Sequence, residues 1–109
     1  MPSHLPYRVT TQTGEVIDFE FDLHPDTGSA MRVNQLLNAV LHTLDREIRV
    51  LGKTSNGDVL QALAMALAAR ARMIHAPVAQ TTELARDLVT EALRGGSAAK
   101  AEGGLTGHG

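Results

Sequence analysis

Between Asp58 and Ile74 the chain carries apolar surface almost the whole way round a helix, and this run constrains the fold more than any other feature. Its large residues are Val59, Leu60, Leu63, Met65, Leu67, Met73 and Ile74, and alanine occupies positions 62, 64, 66, 68, 69 and 71. Beyond Asp58 the charged residues of the run are Arg70 and Arg72, both near its end. A helix apolar on every side is buried on more than one side, and alanines let neighbouring backbones come close. The run is too short and too interrupted to span a bilayer. It is therefore expected to pack against other helices, with Leu60, Leu63, Leu67, Met73 and Ile74 forming a core shared between copies of the chain. An aspartate at position 63 or 67 is expected to abolish both folding and association, because it would bury an unpaired charge.

The segments around this run have clear periods. Over residues 7–23 the pattern is that of a β-hairpin. Ile17, Phe19, Phe21 and Leu23 alternate with Asp18, Glu20 and Asp22, giving one apolar and one wet face, and Gly14 can supply the turn. His24 to Gly28 is rich in turn formers. A helix then starts near Ser29, where Val33, Leu37, Val40, Leu44, Ile48 and Leu51 recur at steps of three or four and Gly52 supplies a C-terminal stop. Ser55 or Asn56 can cap the Ala-rich helix. Pro77 interrupts the pattern, and a third helix begins at Thr81 or Thr82 and stops at Gly95-Gly96. The expectation is an α+β fold, a hairpin followed by three helices, with residues 1–94 as one domain. Residues 95–109 hold six of the ten glycines and read as a flexible, disordered Gly-rich tail.

Composition excludes several classes of activity. The chain has 109 residues, no cysteine and a formal charge of −2, which removes disulfide scaffolds, thiolate zinc sites and cysteine nucleophiles and gives no bulk drive toward nucleic acid. The N-terminus has no basic region or apolar run of a secretory signal, so a soluble cytoplasmic protein is expected. None of the five histidines pairs with another at helical ligand spacing, and no cofactor or metal is expected. His42 and Asp45 share one helix face, where a metal or acid–base role is conceivable, although a partly exposed histidine beside a solvated aspartate is the simpler reading. Gly52-Lys53-Thr54 lacks the earlier glycine of a phosphate-binding loop, because Glu47 stands there. An enzyme is not expected.

The charged residues suggest recognition instead. Asp18, Glu20 and Asp22 line one strand face, while Arg46, Arg49 and Lys53 cluster at the end of the first long helix. These groups are complementary and could guide self-association or the docking of a protein partner. A ribbon–helix–helix or helix–turn–helix DNA binder has a similar element order, but three carboxylates on the ribbon would be repelled by phosphate. A homodimer that also engages a protein partner of unknown identity is expected, with no membrane partner. A small-molecule binder or minor enzyme with a cavity between hairpin and helices is the alternative.

The order of hairpin, Asp/Pro connector, amphipathic helix containing Leu44-Asp45-Arg46-Glu47-Ile48, short polar loop and Ala/Leu helix (Val59 to Ala68) resembles the ZapA cell-division family over roughly residues 16–74. The resemblance implies a dimer or tetramer that cross-links filaments of a tubulin-like division protein, without catalysis. It also implies that Arg46 and Arg49 contact that partner. Pro77 departs from the family's pattern, in which the last helix continues into a long coiled coil.

Overall fold

Leu5, Tyr7 and Val9 alternate with Pro6, Arg8 and Thr10 in one short run, and Ile17, Phe19 and Phe21 alternate with acidic residues in the next. A computed structural model of the chain, which describes residues 4–103, pairs the two runs as antiparallel strands β1 (His4–Thr10) and β2 (Glu15–Asp22). The register sets Leu5 across from Phe21, Tyr7 from Phe19 and Val9 from Ile17, so all six apolar residues share one face. Phe19 and Phe21 stack on that face with ring centroids 5.1 Å apart. The turn closes when the Gly14 N–H donates to the Thr11 carbonyl at 3.0 Å and the Thr11 N–H to the Glu15 carbonyl at 2.8 Å. Gly14 takes φ 87°, the left-handed residue that a three-residue hairpin loop requires.

The Thr11–Glu15 bond fixes the parity of the ladder. Odd-numbered residues of β1 direct their N–H groups to β2, and even-numbered ones direct theirs away. Pro6 therefore places its hydrogen-free nitrogen on the outer edge, where no ladder bond is lost and a further strand is discouraged.

Helix α1 (Ala30–Leu51) begins where Ser29 Oγ accepts from the Arg32 N–H at 3.1 Å. It ends where the Gly52 N–H donates to the Ile48 carbonyl at 2.9 Å, with Gly52 at φ 89°. Helix α2 (Asn56–Arg72) is capped by Ser55, whose Oγ accepts from the Asp58 N–H at 3.1 Å. Met73 is its C-cap, so Met73 and Ile74 lie just past the helix rather than inside it.

Helix α3 (Val78–Ser97) departs from the sequence expectation at both ends. It starts earlier because the Pro77 carbonyl already accepts from the Gln80 and Thr81 N–H groups, and proline suits a helix start, where its missing N–H costs nothing. It continues through Gly95 and Gly96 to Ser97, and Lys100–Gly103 then forms strand β3. β3 pairs antiparallel with β2, setting Ala101 across from Ile17 and Lys100 from Asp18. The sheet order is β1-β2-β3, with β2 central. The strand occupies residues that the composition assigned to the flexible tail, whose last six residues, 104–109, lie outside the described residues.

The chain divides into two compact units. One holds the sheet with the first turn of α1 and the last part of α3 from Val89; the other, residues 35–88, holds the remaining helical segments. In the helical unit the half-buried helix positions are Leu37, Leu41, Leu44 and Ile48 of α1, Val59, Leu63 and Ala71 of α2, and Ala85 of α3. Thr81 is the one buried residue among those described, at 7% exposure. No apolar side chain in the described residues is fully buried.

Candidate interaction surface

The half-buried residues of α1 follow steps of four, three and four, which marks a single stripe down the helix. A second apolar stripe runs beside it. Val33, Leu36, Val40 and Leu51 all stand exposed, as does Val50 at 76%. The apolar arc of α1 is thus wider than its own chain covers.

Helix α2 is divided more sharply. Val59 and Leu63 are half-buried on one side, with Leu67 close to them at 36% exposure. On the other side Asp58, Gln61, Ala62, Met65, Ala68, Ala69 and Arg72 are all exposed, and Met65 is 60% open. Of the five residues assigned to an oligomer core, Leu63 alone is half-buried, while Leu60, Leu67, Met73 and Ile74 are exposed in the single chain. All five lie in residues 35–88, within one unit.

The wet face of the sheet carries the acidic residues, and two of the three are engaged. Arg8 donates to both carboxylate oxygens of Asp18, from Nε at 2.7 Å and Nη2 at 3.2 Å. His4 Nδ1 lies 2.8 Å from Asp22. Lys100 stands across from Asp18 on β3, and Glu20 faces Pro6. The strand face that reads as uniformly acidic in sequence therefore has cations at Asp18, where Arg8 and Lys100 stand on either side, and a hydrogen-bonding histidine beside Asp22. Hydrogen bonds from Arg8 hold the Asp18 carboxyl below the usual carboxylate range and raise the Arg8 guanidinium.

A depressed carboxylate stabilises the fold above its unfolded titration range, and that contribution is lost as pH falls through the folded value. Asp18→Asn is accordingly expected to lower the melting temperature slightly at pH 7. The difference from wild type should close below about pH 4 and shrink in high salt. Paired melting curves at several pH values measure it, and a difference that widened in acid would contradict the pairing.

Arg46, Arg49 and Lys53 are exposed at the end of α1, and His42 and Asp45 are exposed on the same helix. These five and the acidic ribbon fall in different units. Among the described residues no group of three or more histidine or carboxylate side chains is placed to hold a metal ion, and no helix is long and apolar enough to cross a membrane. Sequence reasoning did not find the role of Gly95. A Cβ built there would lie 2.8 Å from Phe21 Cδ1 and 3.4 Å from the Glu20 carbonyl oxygen, so α3 passes against β2 where only glycine fits. No family model, characterised protein or solved structure matches this chain.

Proposed function

We propose that the protein is a non-catalytic interaction module that self-associates through its apolar helical faces and serves as an adaptor or accessory subunit. One observation carries the reading. Sixteen large apolar side chains are exposed, while none is buried among the described residues. Ordering a backbone costs about 1–2 kcal/mol per residue, and burying a large apolar side chain returns about 1.5–3 kcal/mol. Half-covered stripes on α1 and α2 leave most of that return unrealised in a single chain. Packing against a second copy completes it. Scattered exposed leucines are ordinary on monomeric proteins, but adjoining stripes of them mark interaction surfaces.

Sedimentation equilibrium across a wide concentration range tests this directly. The expected result is a concentration-dependent dimer or higher oligomer, with a melting temperature that rises as protein concentration rises. A monomer at every concentration, melting at one temperature throughout, would sink the reading. On the ZapA resemblance, the further partner is a filament of a tubulin-like protein, contacted by Arg46 and Arg49. Co-sedimentation with such filaments, and its loss in Arg46→Glu/Arg49→Glu, tests that part separately.

A further inference from the structure

The exposed side of α2 has a charge pattern that is complementary to itself in one orientation. Met65 stands midway between Asp58 and Arg72, seven residues from each, and Gln61 and Ala69 lie four residues to either side. Seven residues bring a helix back to nearly the same angle, with a drift of about 20°, so Asp58, Met65 and Arg72 fall on one line along the helix. At 1.5 Å per residue the two charges sit roughly 10 Å on either side of the methionine. All five residues are exposed. Neither Asp58 nor Arg72 takes part in an ion pair among the described residues.

Resting on the self-association reading above, we infer that two copies of this chain pair through α2, antiparallel, across a two-fold axis at Met65. The rotation sets Asp58 opposite Arg72 of the second copy, Arg72 opposite its Asp58, and Gln61 opposite Ala69, with Met65 against its own mate. A parallel pairing in register would instead oppose aspartate to aspartate and arginine to arginine, so the charges select the antiparallel arrangement. The small side chain of Ala69 leaves room for Gln61 of the second copy, at the close end of the usual range of helix separations, about 8 Å. An unrelated partner has no reason to meet a surface built symmetrically about its own midpoint. A second copy meets it by construction.

The chain has no cysteine, so a single introduced thiol reports position cleanly. Met65→Cys in the full chain is expected to form a disulfide-linked dimer at least about tenfold faster under mild oxidation than Gln12→Cys at the hairpin tip, because only the former thiol lies on the axis. Asp58→Arg and Arg72→Asp are each expected to raise the dimer dissociation constant about tenfold, since each puts like charges together twice. The double variant Asp58→Arg/Arg72→Asp is expected to return to within about threefold of wild type. It carries both unfavourable interactions with the helix dipole, so recovery cannot come from helix stability.

Sedimentation equilibrium supplies the constants, and far-ultraviolet circular dichroism confirms that each variant is folded. If the wild type associates but Met65→Cys cross-links no faster than Gln12→Cys, α2 is not the seam and the inference fails while self-association stands. Single reversals without effect, or a double variant as weak as the singles, overturn it in the same way. A wild type that is monomeric throughout removes both readings together.

Discussion

Leu63→Asp is expected to leave the chain largely unfolded and monomeric. Leu63 lies on the half-buried side of α2, in line with Val59 one turn before it. An aspartate there removes apolar contact and holds a carboxylate where water is partly excluded, a cost on the order of 2–4 kcal/mol. A domain of this size has about 5 kcal/mol of stability in total, and under the proposed self-association part of it depends on the second copy. The informative comparison is Met65→Asp, two residues along on the exposed side. Its charge stays in water in the single chain, so the helix content is expected to persist while association is lost. Circular dichroism and sedimentation on the two variants separate folding from assembly. A folded Leu63→Asp monomer would show that this side of α2 is not needed for the fold. Leu67, nearer to exposure than its spacing from Leu63 suggests, is expected to fall between them.

The two adjacent glycines of α3 are expected to respond in opposite directions to the same substitution. At Gly95 an added Cβ meets the Phe21 ring at 2.8 Å, and either the helix or the ring must shift. Gly95→Ala is therefore expected to destabilise by about 1–3 kcal/mol. At Gly96 nothing lies within 4 Å of the added carbon. The residue is helical there, so Gly96→Ala is expected to stabilise by roughly 0.5–1 kcal/mol through helix propensity alone. Chemical denaturation of both variants reads out the signs. Equal stabilisation by both would mean that α3 does not press on Phe21 at all.

The parts of the fold that were legible in the sequence are those set by near neighbours. Alternation through Ile17, Phe19 and Phe21 marked a strand, and Gly14 marked its turn. Ser29, Gly52 and Ser55 marked helix ends, where each acts on backbone groups within four residues of itself. The third helix was misjudged for the same reason. Glycine and proline are read as local breakers, and Pro77 instead sits at a helix start, while Gly95 and Gly96 lie inside the helix. The candidate surface was half legible. The all-round apolar pattern of α2 gives the expectation of cover on more than one side, but a periodic pattern carries no label saying which side the chain itself covers.

What the sequence determined by itself is thus the hairpin, the order of the three helices, the caps at Ser29, Gly52 and Ser55, and the apolar character of residues 58–74. Only the tertiary structure decided that Val59 and Leu63 are turned inward and Met65 outward, and that Asp18 and Asp22 are matched by Arg8 and His4 across the ladder. It also decided that Lys100–Gly103 adds a third strand to β2 and that Gly95 lies against Phe21. Each of these joins residues far apart along the chain. Capping and periodicity act within a turn or two, whereas register, cover and close approach depend on which distant backbone arrives alongside.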